Sequence, residues 1–591
     1  MSLMGGLYIG SSGLQTGQNA LNTTAHNLSN MDTVGYVRQQ VQQSTRSYLR
    51  LSTDVKSVNN KQTGLGVTYS RVKHIRDAFL DRIYRRESGR SMFYEVSTEV
   101  TEEIESQLGE MNGEAFQTNL EDFWTAIQEL AKDPASSVTQ GLLVQRGAEL
   151  IQRAQAVYGG FCAYQDNLNL QVKKQVDQIN EYGKQILALN DAIRGIEAGG
   201  IESANDLRDA RDAILDELSQ MVNINYDEDQ FGNVWVQVEG MDFVKGPHCY
   251  EIALDVDEKT GFYTPYWPLN STFDENGNLK LDKNGNPLRD DVFDLGLRIS
   301  TDLNTDIGGL KAILLARGDH RADYTDMARD KYDEVSQSIV MNIQAEFDQL
   351  IHNVASKVNE ILAEAAGVKT GPVYASNGDI LIKEGERYCE SDIGGYMRKD
   401  DGSPIQMFTK IYGEGYRKVT GTVDVVDDQG NVTQEEKEYW VYNEEVPGEL
   451  ESIYSINNLQ VDPELMQKPS MLGFRLADGS EDKATAEALK QAFVEEEYTL
   501  NPNIQKKTAF VNYYTDLVSQ VANSGYAFRN IYDNQVNAVE SIESARQQVA
   551  GVSSDEELSN MIKFQNAYNA SSRYINVIDE MLEHLLSALG A

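Results

Sequence analysis

The stretch SSDEELSNMIKFQNAYNASSRYINVIDEMLEHLLSAL, residues 553–589, decides how the rest of the chain is read. Steps of three and four alternate along it through Met561, Phe564, Tyr568, Ser571, Ile575, Ile578, Leu582, Leu585 and Leu589, and eight of these nine positions are apolar. Their average step of about 3.5 residues is that of a coiled-coil seam. Ser554 with Glu557 reads as a capping box behind the breaker Gly551, and Asp555 and Glu556 fall where a helix N-terminus favours negative charge. The spacing therefore predicts a helix of about ten turns from near Ser554. Burying each large rung is worth about 1.5–3 kcal/mol, so the seam needs a cover.

At the other end of the chain Leu7, Leu14, Leu21 and Leu28 recur once per heptad, with Gly10, Gly17 and Thr24 beside them. A leucine stripe flanked by small residues suits close approach to a second helix. That helix is expected to stop near Asn30, where Asn27, Ser29 and Asn30 compete for backbone hydrogen bonds and Gly35 allows a turn with positive φ.

Between the ends the apolar period changes twice. Amphipathic helix is expected over 72–108, with Ile75, Phe79, Ile83 and Ile104 among its apolar positions, and again over 116–131. A long helix follows over 140–198, laddered by Leu168, Val172, Gln175, Ile179, Tyr182, Ile186, Leu189, Ile193 and Ile196. Another is expected over 206–222, with Leu207, Ala210, Ile214, Leu218 and Met221 on one side. Val234, Val236 and Val238, and then Ile252, Leu254 and Val256, alternate as strands do. The turns DENGN (274–278) and DKNGN (282–286) invite a calcium-loop reading, but their glycines stand at the fourth place, so Asn-Gly hairpins account for them better. Helix is expected again over 323–366, a β-rich stretch over 367–447 that sets Val423 and Val425 against Trp440 and Tyr442, and a laddered helix over 509–549.

The fold class is therefore α+β and multidomain. A terminal coil comprises 1–70 with 550–591, a helical rod 71–225 with 306–366 and 505–549, and two β-rich insertions 226–305 and 367–504.

Composition narrows function. The 591 residues exceed what one core supports. With 52 basic against 92 acidic residues the net charge is −40, which disfavours nucleic acid and anionic membrane as partners. Cys162, Cys249 and Cys389 are scattered and form no paired motif, and no cleaved signal sequence or bilayer-length apolar run is evident. The six histidines make no ligand spacing with one another, and no phosphate loop, nucleophile elbow or dinucleotide fingerprint occurs. The acidic runs at Glu435 and Glu495 read as solvated surface rather than a glycosidase pair. No enzyme, metal or cofactor is indicated.

The run AHNLSNMDTVGYVRQ, residues 25–39, resembles the N-terminal motif of the axial proteins of the bacterial flagellum, the rod, hook and hook-associated proteins. Residues 205–222, NDLRDARDAILDELSQMV, are similar to the characteristic segment of the hook-associated protein 1 branch of that family, and residues 455–465, SINNLQVDPEL, to its corresponding segment. The resemblance implies a structural protein at the junction of hook and filament. It implies self-association into a ring, contact with hook protein and with the second hook-filament junction protein, and export to the cell exterior by the flagellar type III route without a cleaved signal. It also implies an export chaperone that holds the C-terminal helix through Met561, Phe564, Tyr568, Ile575, Ile578, Leu582, Leu585 and Leu589. Asn27, Leu28, Asn30, Thr33, Gly35 and Tyr36 carry the assembly motif. The alternatives are another axial protein of the same group, or an extracellular adhesin or hydrolase acting through its β-rich insertions.

Overall fold

The computed structural model describes every residue except 1–2, 34, 47–48, 51–61, 110–115, 200–202, 284, 392–396, 427–431, 477, 589 and 591. Its helices are α1 (Leu3–Ser29), α2 (Ala78–Gln107), α3 (Phe116–Lys132), α4 (Ser137–Glu197), α5 (Asn205–Met221), α6 (Gly309–Arg317), α7 (Tyr332–Val335), α8 (Ile339–Ala365), α9 (Pro463–Gln467), α10 (Lys483–Val494), α11 (Phe510–Ala550) and α12 (Ser554–Ala588). One continuous core links α2, α3, α4, α6, α8, α10 and α11, from Phe93 to Val521.

The helical expectation over 72–108 fails at its start. Val67–His74 is a strand, antiparallel to Gln39–Thr45. Its valines and threonine suit a pleated surface, and the helix begins only where Asp77 caps it, accepting from the Phe79 amide at 2.8 Å. Phe79 itself is exposed in the first turn.

In α4 the buried ladder runs through Leu168, Val172, Val176, Ile179, Gly183, Ile186, Asn190 and Ile193, one step away from the expected Gln175, Tyr182 and Leu189. The cause is the sheet that covers it. Phe243 and Cys249 press on Gly183, and the Asn190 amide brackets the backbone of Val234, donating to its carbonyl at 2.9 Å and accepting from its N–H at 3.1 Å. That sheet holds the strands Ile224–Glu228, Val234–Val238, Met241–Lys245 and His248–Cys249 in spatial order, with Ile224–Glu228 at one edge. Val234, Val236, Val238 and Phe243 lie in the same core as the helices, so the 226–305 insertion has no separate interior at this point.

The helix expected over 323–366 is not continuous: a single turn at Tyr324–Met327, capped by Asp323, and the short α7 precede α8. Gly318, with φ of 76°, ends α6, and α8 starts only after Ser338, whose hydroxyl accepts from the Met341 amide. The region 367–504 is not β-rich throughout, since α10 lies inside it and buries Ala486, Leu489 and Phe493 in the common core. Its long hairpin pairs Tyr416–Val426 with Val432–Tyr442, but in another register than expected. Val423 opposes Glu435 and Val425 opposes Thr433, whereas Trp440 opposes Lys418 and Tyr442 opposes Tyr416. The Gly430-Asn431 turn lies outside the described residues. The Asn-Gly turn at 274–278 is a tight reversal, with Gly277 at φ 84° and the Asp274 carboxylate accepting from the amides of Asn276 and Asn278.

Candidate assembly interface

Helix α1 carries Gly6, Gly10, Gly13 and Gly17 at helical spacing, each costing about 1 kcal/mol relative to alanine. The structure shows what they permit. An added Cβ would run into Ile578 at Gly6, lie 2.6 Å from Ile575 at Gly10 and 2.7 Å from Ser571 at Gly13, and reach the Tyr568 backbone at 3.4 Å from Gly17. These pairs descend along α12 as they ascend along α1, so the two helices are antiparallel, with a glycine groove receiving the α12 seam.

The seam is therefore covered in part from within the chain. Ile578 is buried and Met561, Phe564, Tyr568, Ile575 and Leu582 are half-buried; Leu585 is exposed, and Leu589 lies outside the described residues. Leu7, Leu14, Leu21 and Leu28 are half-buried beside the contact, while Gly6, Gly10, Gly17, Ala20, Thr24 and Asn27 are its buried face. What stays bare on this coil is a different set: Met4, Tyr8, Leu558, Ile562, Val577, Met581 and Leu586.

The expected capping box is absent. Ser553, not Ser554, precedes the helix, and its hydroxyl approaches the Glu556 amide at 3.5 Å. Glu557 is diverted to a buried latch. The Asn27 amide meets the Gln39 backbone like a rung of a β-ladder, accepting from its N–H at 3.0 Å and donating to its carbonyl at 2.8 Å. The same amide accepts from the Tyr36 hydroxyl at 2.8 Å and donates to Glu557 at 3.2 Å, so all its capacity is used. Arg38 closes the latch, 2.9 Å from Glu557 and 2.8 Å from Glu556, and its backbone N–H donates to the Ala550 carbonyl. Burial, then Asp206, Asp209 and Glu557, hold the Tyr36 phenol in its neutral form by raising its pKa. Asn30 and Thr33 shape the exposed turn through the Thr33 amide and the Asn30 carbonyl, 3.0 Å apart. Gly35 adopts φ of 81° and lies against Ala213 of α5. Leu28 makes no hydrogen-bonded contribution to this latch through its hydrocarbon side chain and packs half-buried beside it.

Beneath the latch α5 presents charge to the interior. Asp209 accepts from the Val37 amide at 3.2 Å and faces His74 at 3.4 Å. Among the expected apolar positions Leu218 is buried, Leu207, Ile214 and Met221 are half-buried and Ala210 is exposed; Asp209, Arg211 and Leu215 are buried beside Leu218. Asp212 pairs with Arg76 and, at 3.1 Å, with Arg85; Asp216 pairs with Arg85 at 2.6 Å and Arg546 at 2.8 Å. Asp81 completes the clasp, 2.6 Å from Arg76 and 3.0 Å from Arg546. Burial alone would raise the Asp212 carboxyl, but Arg76, Arg85 and Arg211 together hold it below its usual range. The clasp thus ties α2, α5 and α11 at the root of the terminal coil. Sequence reading missed Arg38, Arg76, Arg85, Arg546 and the role of Glu557, because each has a partner more than a hundred positions away. The only local signal was the density of Arg and Asp in 205–216.

Chemistry elsewhere is sparse. Burial pushes the thiols of Cys162 and Cys249 up to about 11 and raises that of Cys389, which disfavours a thiolate. Among the described residues no group of three or more His, Cys, Asp or Glu side chains could hold a metal ion, and no helix is long and apolar enough to cross a membrane.

Three family models match the chain. The flagella basal body rod protein model covers residues 7–36, which include α1 from Leu7 onward, and the flagellar basal body rod FlgEFG protein C-terminal model covers 544–588, which include α12. The flagellar hook-associated protein FlgK helical domain model covers 101–372. Flagellar hook-associated protein 1 of Bacillus subtilis is 24% identical over 98% of this chain and 96% of its own. That of Salmonella typhimurium is 24% identical over 98% of each, and that of Escherichia coli 28% identical over 41% of this chain and 43% of its own. The solved structure of the flagellar hook junction protein FlgK from Burkholderia pseudomallei, at 15% identity, covers 80% of this chain and 100% of that one with a TM-score of 0.48. With both halves of the glycine-grooved coil and the helical body between them matched, and relatives aligned from end to end, the chain belongs to the flagellar hook-associated protein 1 family.

Proposed function

We propose that this chain is a structural subunit that joins hook to filament in the bacterial flagellum, assembling as a ring through the outer surface of its α1–α12 coil. The observation that carries the reading is the division of that coil into a closed inner seam and a bare apolar outer set. Met4 and Tyr8 on α1, and Val577 and Met581 on α12, lie toward the same end of the antiparallel pair, where neighbours above, below and beside can cover them. A repeated heterologous contact of this kind builds rings and helical tubes. Hook protein and the second junction protein are the partners this role requires, and export proceeds without a cleaved signal.

The α12 helix is held by an export chaperone before α1 docks on it, so the chaperone and α1 compete for the same seam. Deleting residues 553–591 is expected to abolish chaperone binding in calorimetry. Electron microscopy of cells lacking the protein tests the main proposal. Hooks without filaments, and flagellin shed into the medium, are expected; normal filaments would overturn it.

A further inference from the structure

Asn-Gly occurs four times in the chain, at 112–113, 276–277, 284–285 and 377–378. Glycine has no Cβ to shield its amide nitrogen, so that nitrogen reaches the side chain of a preceding asparagine more easily than any other residue's does. Both residues of the pair are described at two of the four places, Asn276-Gly277 and Asn377-Gly378.

These two turns share a backbone. The glycines have φ of 84° and 88°, and nothing lies within 4 Å of where a Cβ would stand on either. The Asp274 amide donates to the Asn278 carbonyl, and the Ala375 amide to the Asp379 carbonyl, both at 2.8 Å. Asn276 and Asn377 are both exposed. They differ in what holds them. The Asn377 side chain is tied at both ends, its Nδ2 donating to the Asp379 carboxylate at 2.8 Å and its Oδ1 accepting from the Asp379 amide at 3.0 Å. The Gly378 amide donates to the Ala375 carbonyl at 2.8 Å. The Asn276 side chain has no hydrogen-bond partner among the described residues, and only its backbone amide is held, by the Asp274 carboxylate at 2.9 Å. The Gly277 amide donates to the Asp274 carbonyl at a longer 3.2 Å.

From this contrast we infer that Asn276 is a site of spontaneous covalent modification, and that its own turn protects Asn377 from the same reaction. The Gly277 nitrogen bonds to the Asn276 side-chain carbonyl carbon as the bond from that carbon to Nδ2 breaks. The glycine amide proton leaves with the NH2 group as ammonia, and a five-membered succinimide remains. Water then opens the ring at either carbonyl, giving aspartate or isoaspartate, with no change of oxidation state. Attack requires the asparagine side chain to swing toward the glycine and the turn to open locally. At 377 those motions also break the two side-chain hydrogen bonds to Asp379; at 276 they break none. Either product sets a new carboxylate close to Asp274. Isoaspartate also adds a methylene to the backbone between the amides of Asn276 and Asn278, which the Asp274 carboxylate holds at 2.9 and 2.8 Å, and so lengthens the reversal that places Phe273 opposite Leu279.

The test ages the full-length folded protein in mildly alkaline buffer and follows both sites in one tryptic digest, where Asn276 falls in the peptide 260–280 and Asn377 in 370–383. Fragmentation mass spectrometry reads the change in mass when NH2 becomes OH and assigns it to a residue. Asn276 is expected to convert at least about tenfold faster than Asn377, and the two rates to converge in guanidinium, where only the shared Asn-Gly sequence acts. Both rates should rise with pH, because the attacking amide must give up its proton. Asp379→Ala, a change at an exposed position, removes the carboxylate acceptor and should speed conversion of Asn377. Equal rates at the two sites in the folded protein overturn the inference, as does an Asn276 that unfolding accelerates as much as it does Asn377. An Asn377 rate unmoved by Asp379→Ala overturns the protection assigned to its turn.

Discussion

Asn27→Asp is the sharpest perturbation of the coil, because it changes one NH2 to O without changing shape. The amide makes two donations, to the Gln39 carbonyl at 2.8 Å and to Glu557 at 3.2 Å, and a carboxylate makes neither. Leaving a buried acceptor unpaired costs about 1–3 kcal/mol each. A new negative charge then stands against Glu557, a repulsion of about 4 kcal/mol at 4 Å with an effective dielectric of 20, which Arg38 offsets in part. The net loss is expected to be about 3–5 kcal/mol, a hundredfold or greater fall in the docked population of the coil. Hydrogen exchange read by mass spectrometry checks it. Amides of α12 should exchange at least a hundredfold faster in the variant, while those of α8 keep the wild-type rate. Lowering the pH should partly restore protection, because the introduced carboxyl, buried beside Glu557, titrates above its normal value and regains an O–H donor. Unchanged exchange in α12, or an equal rise in α8, would refute the claim that this amide latches the coil locally.

Other expectations follow from the same contacts. Gly13→Ala should destabilise the coil by about 1–3 kcal/mol despite its better helix propensity, and Ser571→Gly in the same chain should recover most of the loss in a double-mutant cycle of melting curves. Gly159→Ala, in a helix with nothing within 4 Å of the added methyl, should instead stabilise by about 0.5–1 kcal/mol. Asp212→Asn removes one of two carboxylates from Arg76 and from Arg85, which keep Asp81 and Asp216, and should cost about 1–3 kcal/mol in denaturant titrations. Burial pushes the carboxyls of Asp348 and Glu346 up to about 7. Both are protonated more readily when folded than when unfolded, so each withdraws stability as pH rises from about 4 to about 7, on the order of 2–4 kcal/mol per group. The melting temperature should be higher at pH 5 than at pH 8, and Asp348→Asn should flatten the difference.

Periodicity exposed the long helices and both ends of the coil, because a repeat of 3.5 residues is written in consecutive side chains. It also located the strand Val234–Val238 and the 274–278 turn, where alternation and an Asn-Gly pair act over a few residues. It misjudged phase where a neighbour chose the buried face. Gly183 and Asn190 face inward in α4 because Phe243 and Val234 meet them there. The face of α5 was misread for a related reason: hydrophobicity ranks Ala210 above Asp209, but Val37 brings an amide donor and His74 an imidazole to Asp209 from far along the chain. In the coil, leucines drew the eye, yet contact passes through glycines, whose value lies in the side chain they lack.

The glycine groove has a consequence for timing. A helix with four glycines in its first half holds together poorly by itself, and its mate begins 525 positions after α1 ends, as 554 minus 29 gives. Closing so long a loop is slow, and α1 has no mate until α12 is present. Under the export proposed above, the subunit travels with this pair unmade, and the pair sets only outside.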